Sequence, residues 1–244
     1  MYLNSKGLLI AADVSSLKDL ERLVRATIQV SGVIGYKVGM TLVGRFGLPK
    51  VASVIRRCAA PHDPEIVWDF QKAGCDIPAM GEEFAAIADY SGIDRVILYP
   101  MAGPLSATTW IEACLERELS VAVGLHMTHK CFLESDGGWI LDRAPQEALD
   151  LALGLGVTEF VLPGNDANAS GRYYQQITAK HKCPLIMSPG LITQDGSITA
   201  MANAVGKRWW PIVGRAITDL IDNKPRAITA KTVEIVAMIM QEAA

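Results

Sequence analysis

The chain lacks most of the marks of a secreted, metal-built or membrane protein. Its five cysteines (Cys58, Cys75, Cys114, Cys131 and Cys183) are odd in number, form no Cys-x-x-Cys pair and fit no zinc spacing. They are expected to be reduced thiols, so neither a disulfide framework nor a structural metal is expected. No apolar run approaches the ~18 residues that would span a bilayer. No charged segment leads into a signal-type core before the first apolar run. A cytoplasmic location with no membrane partner is therefore expected. A basic stripe is also missing: the formal net charge is −3 and both signs are scattered along the chain. That argues against a nucleic-acid partner while leaving room for a local basic pocket. No low-complexity linker divides the chain, so residues 1–244 are read as one domain.

What is present is regular. The 244 residues lie close to the ~250 of a single (β/α)8 barrel. Half of them are hydrophobic, enough for a large core. Eight short runs rich in Val, Ile and Leu recur: Leu8–Asp13, Val33–Lys37, Ile66–Asp69, Arg95–Leu98, Ser120–Gly124, Glu159–Leu162, Leu185–Ser188 and Pro211–Gly214. Near-continuous apolar runs suit strands buried on both faces, as in parallel sheets. Helix-like stretches separate them. Ser15-Ser16 precede Leu17, Leu20, Leu23 and Val24 at helical spacing, a start signal. Ala144 to Leu155 repeats the pattern, with Gly156 where a C-cap glycine belongs. A last helix from about Ala227 is expected to place Ile235 and Met238-Ile239 on one face. Trp209-Trp210 are expected before the last strand, packed between barrel and helices or at a dimer contact. Eight βα units are most simply closed into a (β/α)8 TIM barrel of the α/β class; an open, doubly wound sheet is the alternative.

In either architecture chemistry gathers at the carboxyl ends of the strands. Asp13, Lys37 and Asp69 end the first three runs, Thr128 follows the fifth, Ser188-Pro189-Gly190 with Gln194 follow the seventh, and Gly214-Arg215 follow the eighth. Any one of these is ordinarily a cap or surface residue; together they converge on one barrel mouth. The densest segment, Trp68-Asp69-Phe70-Gln71-Lys72-Ala73-Gly74-Cys75-Asp76-Ile77-Pro78, interleaves two carboxylates with one lysine. Neighbouring carboxylates hold a lysine protonated. The loops after the seventh and eighth runs have the glycines of a phosphate site, with Arg215 able to pair with the anion in a bidentate way. His126 and His129 flank Thr128 and read as structural or substrate-facing rather than as metal ligands.

These elements, together with Met127-Thr128-His129 and Val-Gly-Arg-Ala-Ile at 213–217, stand in the order seen in orotidine 5′-monophosphate decarboxylases, and the chain resembles that family over nearly its whole length. The resemblance implies a homodimer of (β/α)8 barrels with active sites shared across the interface. It implies removal of the C6 carboxylate of a nucleotide monophosphate, orotidine 5′-monophosphate, with no metal or organic cofactor. On the same basis Lys72 matches the lysine that protonates C6, Asp69 the carboxylate beside the departing CO2, and Asp76, with Ile77, the residues supplied by the neighbouring subunit. Asp13 and Lys37 match ribose-contacting members of the charged network, and Lys37 is counted with the catalytic charges. Thr128 stands where a serine usually contacts the pyrimidine. Pro189, Gln194, Gly214 and Arg215 match the phosphate-binding side, and the 194–196 segment is the expected lid.

The family usually spaces its charges Asp-x-Lys-x-x-Asp; here one extra residue stands on each side of Lys72. Residues i and i+3 do not share a strand face, so Lys72 joins Asp69 only if the backbone turns just behind the strand, which Gly74 would allow. Two other functions carry the same fold signals. One is a Mg2+-dependent sugar-phosphate decarboxylase or synthase of the same suprafamily. The other is a non-catalytic nucleotide-binding barrel.

Overall fold

The computed structural model describes residues 6–70 and 73–241. Eight parallel strands close into a barrel in sequence order: β1 (Leu8–Ala11), β2 (Val33–Val38), β3 (Glu65–Asp69), β4 (Arg95–Leu98), β5 (Ser120–Gly124), β6 (Glu159–Val161), β7 (Leu185–Ser188) and β8 (Trp209–Val213). The circle is completed by β1 pairing with β8. The open sheet is thereby excluded.

The helices are α1 (Leu17–Thr27), α2 (Met40–Phe46), α3 (Leu48–Ala59), α4 (Met80–Tyr90), α5 (Pro104–Glu116), α6 (Ala144–Gly154), α7 (Ala167–Lys180), α8 (Ile198–Ala204), α9 (Arg215–Thr218) and α10 (Pro225–Gln241). Their ends follow local chemistry. The Ser16 hydroxyl caps α1 by accepting from the Asp19 N–H at 3.1 Å. Gly156, at φ +83, follows the end of α6. Among the described residues no helix is long and apolar enough to cross a membrane.

Four expectations are corrected. The first strand ends at Ala11, so Asp13 lies two residues beyond it. The last begins at Trp209 rather than Pro211: proline is a common first residue of a strand, and that signal set the start too late. Trp209 packs between barrel and helices as expected, but Trp210 points into the barrel. On α10, Ile235 and Ile239 are buried while Met238 is 41% exposed, because three residues advance the helix by less than a full turn.

Strand alternation creates two cores. Outward-facing residues such as Leu8, Ile10, Ile66 and Val96 meet the helices. Inward-facing Leu9, Val67, Ile97, Ala122, Met187 and Ile212 fill the barrel. Below them, at the amino-terminal ends of the strands, Arg95 is buried and pairs with Glu65 and Glu159. Its guanidinium also lies 4.8 Å from the Trp210 ring centroid. Arg95 and Glu159 can stay charged inside because the Arg95 fork meets Glu159 on one side and the half-buried Glu65 on the other.

This floor cluster gives a stability test. Arg95→Ala leaves Glu159 buried without its main cation. It is expected to cost about 3–5 kcal/mol of unfolding free energy, read from urea denaturation. A loss below about 1 kcal/mol would show the cluster to be of little consequence.

Candidate active site

The opposite, carboxyl-terminal mouth of the barrel holds a cavity of about 220 Å3. Its walls come from every side of the mouth: Asp13 beyond β1, Lys37 of β2, Asp69 of β3, Tyr99 beyond β4, Met127 and Thr128 beyond β5, the 189–194 loop beyond β7, and Gly214 and Arg215 beyond β8. Strand period explains the choice. Glu65, Val67 and Asp69 share the inner face of β3, so one strand supplies a floor charge, a filler and a mouth charge.

The charges are coupled. The Lys37 ammonium lies 3.0 Å from Asp69 Oδ2 and 3.6 Å from Asp13 Oδ1. Lys37 and Asp69 are buried, and Asp13 stands at the rim. Burial pulls the Lys37 pKa down, but the charges of Asp69 and then Asp13, with their hydrogen bonds, more than reverse it, and the net shift is upward. Tyr99 is also displaced upward, first by burial and then by the charge of Asp69, so its phenol stays protonated.

Of the residues singled out in the sequence, Asp13, Lys37, Asp69, Thr128, Pro189, Gln194, Gly214 and Arg215 line this one cavity. Lys72 lies outside the described residues. Directly around it, the Ala73 N–H donates to the Phe70 carbonyl at 2.7 Å, and Gly74 takes φ +81. The described backbone is thus tied across Phe70 and Ala73 and bends at Gly74. A side chain at Gly74 would crowd the Pro100 backbone as well as strain that φ.

Asp76 and Ile77 do not line the cavity. They sit on an arm leading from that bend to α4, and Ile77 is 61% exposed. The arm is fixed rather than loose. The Ser106 hydroxyl donates to the Asp76 carbonyl at 2.8 Å, and the Trp110 indole N–H donates to the Ile77 carbonyl at 3.0 Å. Trp110 in turn packs on Phe84, with ring centroids 5.1 Å apart, and Phe84 stacks on Trp68 of β3 at 4.4 Å.

On the far side of the cavity, Gly190 (φ +88) passes so close to Thr128 and Gln194 that a side chain there would crowd both. The loop that follows is pinned at its base by pairing of Leu191 with Gly196, with the Ile192 N–H donating to the Gly196 carbonyl at 3.0 Å. Arg215 opens α9, exposed at the cavity rim. His126 and His129 both pack on the Phe132 ring, at centroid distances of 5.4 and 5.9 Å, which is a structural role. Burial pushes the His126 pKa down.

Gly190, named with the seventh strand's end, also lines the cavity, while the sequence reading gave no site role to Tyr99, Met127, Leu191 and Thr193. Tyr99 was detectable: it continues the inward series Arg95, Ile97, Tyr99 by one step past the apparent strand end. The others depend on loop conformation.

The profile of the orotidine 5′-phosphate decarboxylase / HUMPS family matches residues 6–228. The chain belongs to that family. Among curated relatives, an orotidine 5′-phosphate decarboxylase of Methanococcus maripaludis strain S2 is 24% identical over 210 residues, covering 86% of this chain and 88% of that protein. One from strain C6 of the same species is 23% identical over 224 residues, covering 92% and 94%. Among solved structures, the Methanocaldococcus jannaschii orotidine 5′-monophosphate decarboxylase complexed with the inhibitor BMP superposes with a TM-score of 0.78 at 21% identity. It covers 96% of this chain and 99% of that one. The Pyrococcus horikoshii enzyme gives 0.73 at 21% identity, with the same coverage. At these identities the structural likeness speaks for the barrel.

The Lys37 shift sets a pH dependence. A group whose folded pKa is raised contributes stability fully below its unfolded value, and that contribution is lost as pH rises through the folded value. Wild type is therefore expected to exceed Lys37→Met in unfolding free energy by a constant margin from neutral pH up to about 10, the margin shrinking only above the ordinary lysine value. Urea titrations across that range check it. A margin already shrinking between pH about 7 and 9 would contradict the assigned pairing.

Proposed function

We propose that the chain decarboxylates orotidine 5′-monophosphate to uridine 5′-monophosphate, using its own side chains. The observation that carries this is the Asp13–Lys37–Asp69 array at one wall of the cavity, with Arg215 and the glycine-bearing 189–194 loop at the other. Such a cavity has a place for a phosphate and, apart from it, a polar wall for the reacting base. Membership of the family supports the same substrate class.

Loss of CO2 leaves negative charge at C6 of the pyrimidine. A fixed ammonium stabilises that charge as it forms and then delivers a proton to the carbon. Lys72 is the proposed donor. Asp13, Lys37 and Asp69 comprise two carboxylates and one ammonium, so a second lysine beside them brings the group to neutrality. Asp69 is proposed to face the departing carboxylate, where repulsion of like charges raises the ground state. Lys37, held charged between its two aspartates, is proposed to orient the ribose and the network. Thr128 is proposed to contact the pyrimidine, and Pro189, Gln194, Gly214 and Arg215 to hold the phosphate. Binding at that remote end fixes the base against the charges, which is how a distant group lowers the barrier.

Asp76 and Ile77 are proposed to complete the site of a second copy of the chain. Their position supports this: both lie off their own cavity, on a fixed arm, with Ile77 largely exposed. Leu105 on the same side is 70% exposed, at the start of the helix that carries Ser106 and Trp110. A homodimer with shared sites is the arrangement that uses such an arm.

Loss of orotidine 5′-monophosphate absorbance tests the activity. Turnover is expected from wild type with or without EDTA, and none from Lys72→Ala at unchanged stability. A requirement for added Mg2+ with a sugar phosphate would favour the other branch of the family, and nucleotide binding without turnover would favour a binding protein. Arg215→Ala is expected to raise KM by roughly ten- to a hundredfold, the worth of one charged hydrogen-bonding contact. The shared site has its own test. Lys72→Ala and Asp76→Asn, each inactive alone, are expected on mixing and subunit exchange to regain about a quarter of wild-type activity, because each mixed dimer has one intact site. No recovery in a confirmed mixed dimer would place both residues in the same subunit's site.

A further inference from the structure

The inner face of β4 ends in a residue that the reading above leaves without a task. Tyr99 follows Arg95 and Ile97 into the barrel and lines the cavity beside Asp69 and Lys37. The space it takes is made by its neighbour strand. Gly124 ends β5, and a Cβ at that position would overlap three atoms of the Tyr99 ring. A side chain of any size at 124 and a tyrosine at 99 cannot coexist in this arrangement. Tyr99 and Gly124 are one steric unit, with the ring of one occupying the volume the other lacks.

The hydroxyl of this ring is not consumed by the fold. Among the described residues none hydrogen-bonds to it, whereas the other tyrosine turned into the core, Tyr36, shares its hydroxyl with Thr27 at 2.7 Å. Nor is the Tyr99 hydroxyl among the polar atoms sealed from solvent without a partner. It therefore keeps accessible surface, and the solvent space that Tyr99 borders is the cavity. A buried phenol with an unsatisfied donor costs stability unless something accepts from it.

We propose that Tyr99 is a substrate-contacting residue whose phenol O–H donates a hydrogen bond to an acceptor oxygen on the base of the bound nucleotide, at the Asp69 end of the cavity, and that Gly124 is the residue that admits it. The inference rests on the proposed nucleotide substrate and adds to it a determinant of which base is accepted. The acceptor chemistry is shared by two groups, the carboxylate at C6 and a ring carbonyl. Because the phenol stays protonated beside Asp69, it meets an oxygen as a donor at any pH near neutrality. A site built around such a donor disfavours ligands that present hydrogen or a donor there, since the phenol is then left unpaired.

Tyr99→Phe removes the hydroxyl and keeps the ring. Its affinity for uridine 5′-monophosphate and for orotidine 5′-monophosphate is measured by titration against the parent, both carrying Lys72→Ala so that the substrate is not turned over, with the unfolding midpoint as control. A loss of about tenfold for either nucleotide at unchanged midpoint is the expected result. A loss confined to orotidine 5′-monophosphate assigns the acceptor to the carboxylate, and an equal loss for both assigns it to a ring carbonyl. Affinities within about twofold of the parent for both nucleotides overturn the contact. Gly124→Ala is expected to weaken binding in the wild-type background and to cost nothing further in Tyr99→Leu, the coupling expected of one steric unit. Full additivity overturns the role given to Gly124. Failure of wild type to decarboxylate would remove the proposed activity while leaving the Tyr99 contact to be decided by the uridine 5′-monophosphate titration.

Discussion

An ammonium ion held inside the mouth of a barrel sets the terms for the rest of this molecule. Lys37 lies 3.0 Å from Asp69 and 3.6 Å from Asp13. In water such contacts would be worth little. Here Lys37 and Asp69 are both buried, so each needs the other to remain charged. The barrel supplies this without special devices. Parallel strands in register carry inward residues at equal heights, and β2 and β3 pair Lys37 with Val67, two residues (one inward step) below Asp69. The salt link is thus a consequence of register, and a slip of one residue in either strand would turn that strand's charge outward.

The barrel is therefore polar at its two ends and apolar between them. Arg95, Glu65 and Glu159 close the floor, while Asp13, Lys37 and Asp69 open the mouth. Val67, Ile97, Ala122 and Met187 lie between. The two clusters obey the same electrostatics and serve different ends. At the floor a bidentate guanidinium is enclosed by carboxylates, with an indole ring against it. At the mouth the charges border a cavity, so part of their field is directed at whatever enters it.

The sequence made the strands and their chemistry legible because both follow short-range rules. Apolar runs of four to six residues can only be strands buried on both faces when eight of them alternate with amphipathic helices. Polar residues that end such runs must gather at one mouth, and eight of the named residues do line one cavity. What escaped depends on longer-range geometry. The start of β8 was hidden by Pro211, and Met238 was put on the wrong face by a spacing one residue short. The fixed arm of Asp76 and Ile77 rests on Ser106 and Trp110, about thirty positions away in the chain, which no local pattern records. Leu191 enters the cavity wall through the path of its loop, which pairs Leu191 with Gly196.

The arm and the Tyr99–Gly124 pair raise the same question about what a barrel mouth must do. Strand ends deliver charges at fixed heights, but they leave a wide opening, and a small ligand needs contacts from above as well as from the rim. One remedy is a wall that grows inward: a glycine on β5 lets a ring from β4 lean across the mouth. The other is a segment that is useless to its own cavity yet rigidly presented. Disorder would have been the cheaper state for an exposed isoleucine on a connection between strand and helix. The indole and hydroxyl that grip the backbone at Asp76 and Ile77 remove that freedom in advance, so a surface meeting this arm would not have to order it. Preorganisation of that kind is the physical ground for the proposal that a second copy of the chain meets this arm.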